Sequence, residues 1–170
     1  MAAKTPRLIK IIGSIGPDSY REFSDQMDVL EQESKADIKI ELFSDGGDAE
    51  AGLAFYSRIR ASTCYVIVMG IGLVASAATI ILVAGEGRLM YPEAWFMTHE
   101  DGLTKFTGKV TDIEAMANAM RRQEKQWNKI LEERTGVHAD VWANWNRTDR
   151  YFTAQECLEL GIIDEIVGGE

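Results

Sequence analysis

Met69-Gly70-Ile71-Gly72-Leu73-Val74-Ala75-Ser76-Ala77-Ala78-Thr79 sits inside an uncharged run from Ala61 to Gly85. Its first half is β-branched and its second half is rich in alanine. The pattern predicts a buried strand over Tyr65 to Val68, a glycine turn, and a helix opening near Ser76. The run is long enough to span a bilayer. Gly70, Gly72 and Ser76 interrupt it, however, and no basic cluster flanks either end closely. A helix N-terminus offers unpaired N–H groups and partial positive charge, which suit a developing oxyanion. Ser76 therefore either caps a helix or stands as a nucleophile, and this stretch alone leaves both open.

Strand and helix signals alternate on either side. Leu8 to Ile12 reads as a strand ended by Gly13. Ser19-Tyr20-Arg21-Glu22 forms a capping box ahead of Phe23, Met27 and Leu30 at helical spacing. Ile38 to Phe43 alternates as a second strand, Asp45-Gly46-Gly47-Asp48 breaks it, and Ala49, Leu53, Tyr56 and Ile59 line the next helix. Arg88 to Met97 predicts short strands broken at Pro92. This order points to an α/β protein with a mostly parallel sheet and helices packed on it.

Beyond His99 the pattern changes to a polar loop, Gly102 to Lys109, and then the longest helical stripe in the chain. Thr111-Asp112-Ile113-Glu114 opens it, Ile113, Met116, Met120, Trp127 and Leu131 line it, and Gly136 closes it. At 1.5 Å per residue the helix would run roughly 36 Å, so part of it should project or meet another subunit. Thr153-Ala154-Gln155-Glu156 caps a last short helix, followed by a strand over Ile162 to Val167.

The chain has 170 residues, 46% hydrophobic and 26% charged, which fits one domain with a core that needs no disulfide. A formal net charge of −9 argues against nucleic acid or anionic membrane as a partner. Cys64 and Cys157 lie in apolar contexts and read as reduced core thiols of a cytoplasmic protein; the first residues carry no signal-peptide pattern. With His99 and His138 as the only histidines and no short ligand cluster, no metal or other cofactor is expected.

A serine attacks only when a base takes its proton and a third group orients that base. His138 lies in a polar loop and reads as a surface residue. His99 ends the apolar run Ala94-Trp95-Phe96-Met97, where parallel sheets place functional side chains. Asp149, within Asn146-Arg147-Thr148-Asp149-Arg150, is the candidate orienting acid, or else a loop carboxylate paired with a neighbouring arginine. Gly47 and Ala77 can offer main-chain N–H donors to an oxyanion. No G-x-S-x-G surrounds Ser76, and Gly13-Ser14-Ile15-Gly16 lacks the rest of a phosphate loop.

Several of these pieces, in this order, resemble the Clp protease proteolytic subunit family. Phe43-Ser44-Asp45-Gly46-Gly47 looks like its N-S-P-G-G turn, and Gly72 to Ala77 like its G-Q-A-A-S-M turn. Met97-Thr98-His99 is similar to M-I-H, and Thr148 to Ala154 to R-D-R-F-x-S-A. Thr111 to Glu114 resembles the start of the handle helix, and Leu160 to Asp164 the G-L-I-D end. The resemblance implies a crotonase-like ββα superhelix with a projecting handle (loop and helix about 102–135). It makes Ser76 the nucleophile, His99 the base, Asp149 its partner, and Gly47 and Ala77 the oxyanion donors. It further implies a homo-oligomeric ring, heptameric or a double ring, whose chamber hydrolyses unfolded or short peptides lying as a strand beside the segment after His99.

The departures matter too. Few residues precede Arg7, where the family carries an axial-pore segment. Lys39 and Glu41 stand where it places apolar docking side chains, which weighs against an ATP-driven AAA+ unfoldase as partner. A non-catalytic ring subunit and a crotonase-type acyl-CoA enzyme are the alternatives. A lysine-based membrane peptidase of the same superfamily is disfavoured because no lysine lies between Arg60 and His99.

Overall fold

The computed structural model describes residues 7–100 and 107–168. β1 (Leu8–Ile12) leads into α1 (Pro17–Glu33), β2 (Ile38–Ser44), α2 (Ala49–Arg60) and β3 (Val66–Ala75). Then come α3 (Ala77–Ala84), β4 (Gly87–Met90) and β5 (Trp95–Thr98). The C-terminal part holds α4 (Val110–Thr135), α5 (Ala139–Trp145), β6 (Arg150–Thr153), α6 (Ala154–Glu159) and β7 (Glu165–Ile166). The alternation expected from the sequence is present, and α5 is an additional element.

One sheet contains all of these strands, in the order β1-β2-β3-β4-β7, with β5 and β6 branching from β3. Every pairing is parallel except β5 with β6. β3 serves two neighbours along one edge. Ile67 to Gly70 pair with Gly87 to Met90, and Leu73 to Ala75 pair with Trp95 to Met97.

That fork depends on what the glycines do. The turn expected at Gly70 and Gly72 is strand interior instead. The β2–β3 register shifts between Leu42 and Ser44, opposite these residues. Gly72 has φ +61°, and a Cβ there would lie 3.2 Å from the Phe43 ring. The glycines thus make a bulge rather than a turn, and β3 continues to Ala75.

Along β2, Ile38, Ile40, Leu42 and Ser44 are buried while Lys39 and Phe43 are exposed. The helices accordingly cover one face of this part of the sheet. Phe23 and Met27 of α1, Phe55 and Ile59 of α2, and the whole of α3 fill that side. A helix apolar all round must be buried, and α3 is. Each buried aliphatic side chain contributes about 1.5–3 kcal/mol, so α3 is firmly anchored.

Two capping expectations shift. α1 begins at Pro17, whose fixed φ suits a first helical position, so Ser19 sits inside and turns back to the Gly16 N–H at 3.0 Å. α4 begins at Val110, one residue ahead of Thr111. The box at Thr153 and Glu156 is formed as read. β7 is shorter than the expected final strand.

α4 has 26 residues, and Asn128 and Leu131 are its buried ones among the described residues. That length corresponds to about 39 Å. Val110, Ile113 and Met116 are exposed, so its first half stands off the body of the protein. Residues 102–106 of the expected handle loop lie outside the described residues. No helix among the described residues is long and apolar enough to cross a membrane.

Candidate active site

Ser76 joins β3 to α3 with φ 52° and ψ −123°, the one non-glycine residue with positive φ among those described. Its side chain makes no capping bond. It instead lies 2.8 Å from Nε2 of His99. The capping reading left open above therefore fails. A backbone in this region costs on the order of 1–3 kcal/mol and persists only where its surroundings hold it. Here Ser76 N–H donates to the Met97 carbonyl at 3.0 Å, and Thr79 Oγ1 donates to the Ser76 carbonyl at 2.6 Å.

His99 is half-buried and follows β5 directly. Ala75 pairs with Met97 in the ladder, so the residues just beyond, Ser76 on one strand and Thr98-His99 on the other, emerge side by side. Two residues far apart in sequence meet through strand register.

The glycine turn after β2 completes one wall. Gly46 and Gly47 have φ +103° and +145°. A Cβ on Gly46 would fall 2.5 Å from that of Ser76, and one on Gly47 would fall 2.2 Å from the Ile15 carbonyl oxygen. Only glycine lets this turn approach so closely. Ile15 N–H donates to Gly46 O and Asp48 N–H to Ile15 O, while the Gly47 N–H finds no protein acceptor among the described residues. Ser44 Oγ braces the turn by accepting from Gly46 N–H at 3.0 Å. Gly47, Ser76, Ala77 and His99 line one cavity, walled by Trp127 and Asn128 of α4. The Ala77 N–H is the first of α3, a position with no partner within its own helix.

Asp149 is not drawn into this cavity. It is exposed, and among the described residues it makes no hydrogen bond or ion pair. No carboxylate among them lies within 4.0 Å of either His99 ring nitrogen. The residue from this segment that does line the cavity is Asn146, at the end of α5. The reason lies in packing. Trp142 and Trp145 of α5 pack with Phe152 of β6, and Arg150 stacks over the Trp145 and Phe152 rings at 4.5 and 5.2 Å. This clamp turns the chain outward between Asn146 and Arg150. His138, as read, is a surface residue; it caps α5.

A family profile described as Clp protease matches residues 2–170. The chain belongs to the Clp protease family. It is 33% identical over 164 residues to an "ATP-dependent Clp protease proteolytic subunit 2" of Borreliella burgdorferi, covering 95% of this chain and 82% of that one. It is 34% identical over 163 residues to the protein of the same description from Treponema denticola, covering 94% and 81%. A solved structure of a ClpP1 asparagine-to-aspartate mutant from Listeria monocytogenes superposes with a TM-score of 0.89 at 28% identity, covering 97% of this chain and 93% of that one. The fold is that of the Clp protease proteolytic subunit.

Sequence reasoning missed the buried polar residues around this Clp protease site. Thr98, Asn128 and Asn146 are 3%, 4% and 4% exposed and bonded in series. A helical signal was available: Asn146 lies four residues after the buried Trp142, and Asn128 three before the buried Leu131. Each therefore shares its helix's inner face.

Proposed function

We propose that this chain is a serine endopeptidase in which Ser76 Oγ attacks a peptide carbonyl while His99 Nε2 takes its proton. The new C–O bond makes a tetrahedral oxyanion, for which the N–H groups of Gly47 and Ala77 serve as donors. His99 then returns the proton to the departing amine as the C–N bond breaks, leaving an ester on Ser76. Water, deprotonated by His99, hydrolyses that ester and restores the serine. The 2.8 Å contact between Ser76 and His99 carries this reading.

The substrate class is an unfolded or short peptide, held in extended form inside a ring of identical subunits. The exposed apolar face of α4 at Val110, Ile113 and Met116 supports such an assembly. A groove over β2, β3 and β4 is lined by the apolar side chains of Tyr65, Ile67, Met69 and Leu89 as well as by Lys39 and Glu86, so it offers apolar as well as charged surface to a docking partner. The segment after His99, expected to lie beside the substrate, falls mostly outside the described residues.

The test is labelling of the purified assembly by a fluorophosphonate and cleavage of unfolded casein or short fluorogenic peptides. Ser76→Ala and His99→Ala should abolish both while the assembly keeps its mass. A wild-type assembly that neither labels nor cleaves would overturn the assignment.

A further inference from the structure

We propose that Glu124 makes this site select a cationic side chain, lysine or arginine, on the acyl side of the scissile bond; this rests on the reading of Ser76 and His99 as nucleophile and base. The apolar stripe of α4 carries Ile113, Met116 and Met120, then Trp127 and Leu131. The positions that should continue it between Met120 and Trp127 hold Gln123 and Glu124 instead. Both are half-buried and line the cavity that contains Ser76. The apolar face is thus broken by an amide and a carboxylate where it meets the nucleophile.

Among the described residues lining this cavity, Glu124 is the one carboxylate, and among the described residues it has no ion pair or side-chain hydrogen bond. The one cation three or four residues from it along the helix, Arg121, is exposed and donates to Asn118 Oδ1 at 3.1 Å. Arg122 and Lys125 are exposed as well and do not line the cavity. A partly desolvated carboxylate is costly until it meets a counter-charge, and the cavity lies open to one brought by a substrate.

The chemistry says which part of a substrate arrives there. The attacked carbon becomes tetrahedral, with one bond to Ser76 Oγ, its oxyanion toward the N–H groups of Gly47 and Ala77, and its departing amine toward His99. The fourth direction leads to the α-carbon of the acyl residue, and the wall left for that residue's side chain is α4. Ala49 and Ala77 keep the approach narrow in bulk. Trp127 packs against Gly52 of α2, where a Cβ would lie 3.3 Å from the end of the indole and 3.4 Å from the Ala77 Cβ. The missing side chain therefore draws the indole in beside the oxyanion donor. The stem of a lysine or arginine can lie along this ring while its charge meets Glu124. A leucine would leave the carboxylate unpaired, and a glutamate would be repelled.

The experiment compares kcat/KM for short fluorogenic peptides that differ only in the acyl-side residue: lysine, arginine, leucine or glutamate. The intact assembly is used, with labelling by a neutral fluorophosphonate and thermal unfolding recorded for each protein. Wild type should cleave the lysyl and arginyl peptides about tenfold or more faster than the leucyl one, and the glutamyl one slowest, since a charge pair in a partly closed cavity is screened less than one in open solvent. Glu124→Gln keeps the shape and removes the charge, so the lysyl-to-leucyl ratio should fall about tenfold. Glu124→Lys should put the glutamyl peptide ahead of the lysyl one.

The proposal is overturned if wild type labels but cleaves the leucyl peptide as fast as the lysyl and arginyl ones, or if Glu124→Gln leaves their ratio where wild type has it. A Glu124→Gln assembly that unfolds would make the carboxylate a structural brace and overturn it likewise. A wild-type protein that neither labels nor cleaves any of the peptides is a different result: it removes the Ser76–His99 reading and this proposal with it.

Discussion

Ser76 Oγ and His99 Nε2 lie 2.8 Å apart because Ala75 and Met97 are partners in a parallel ladder. The contact is therefore a property of sheet register, reinforced by the bond from Ser76 N–H to the Met97 carbonyl. A loop-built pair would drift with the loops. This one is as rigid as β3, whose buried continuation into α3 holds the strained serine backbone in place.

The glycine turn is the tightest part of the site. Gly46→Ala introduces a Cβ 2.5 Å from that of Ser76 at a backbone with φ +103°. The neighbour is a side-chain root and adjoining backbone, which cannot swing aside. Stability should fall by about 1–3 kcal/mol or more, and labelling should fall at least a hundredfold. Urea unfolding and probe labelling check both; a variant with wild-type rate would show that the turn does not form the wall of the site.

The open half of α4 predicts a split between assembly and folding. Ile113→Asp combined with Met116→Lys alters side chains that are 43% and 37% exposed. Subunit stability should change by no more than about 0.5 kcal/mol, since no core contact is lost. Light scattering should instead show a smaller particle. An unchanged particle mass would place the assembly contacts elsewhere.

Acid sensitivity should trace partly to Glu31. A hydrogen bond from Arg58 at 2.9 Å, aided by Ser62, holds its carboxyl below the ordinary value of 4.5 against the opposing effect of burial. A carboxylate depressed in the folded state adds stability above its unfolded value and loses it as pH falls through the folded one. Glu31→Gln should cost about 1–3 kcal/mol near neutral pH, the range for bonds to charged groups. Urea titrations should show that gap narrowing below about pH 4.5, the ordinary glutamate value. A gap that stays constant with pH would rule out the ion pair as its source.

Cys157 should be inert in the folded protein. Burial pushes its thiol up to about 12, so near pH 8 roughly one thiol in 10⁴ is ionised. Iodoacetamide should modify it only after denaturation, as mass spectrometry of the peptide would show. Rapid alkylation of the native protein would mean that the α6 region opens readily.

Much of the fold was legible because it rests on local pattern. The alternation of Ile38 to Phe43, the capping box at Thr153 and Glu156, and the stripe of α4 each report through neighbours close in sequence. Gly70 and Gly72 misled, since glycine signals a turn and a bulge alike, and only the partner strand decides between them. α5 went unread because seven residues offer too few turns for a periodic signal.

By itself the sequence offered the residue types that could do the chemistry: one serine at a strand-to-helix junction, one histidine at a strand end, and a glycine pair able to bring main chain close to a substrate. It also determined the family, since its motifs stand in register along nearly the whole chain. What only the tertiary structure decided is which side chains of the Asn146 to Arg150 segment face inward. Asn146 and Asp149 are three residues apart, and either is chemically able to orient an imidazole. The packing of Trp142, Trp145, Arg150 and Phe152 buries the amide and leaves the carboxylate in solvent. A choice made by aromatic packing between two elements leaves no periodic trace along the chain, and so it had to be seen in three dimensions.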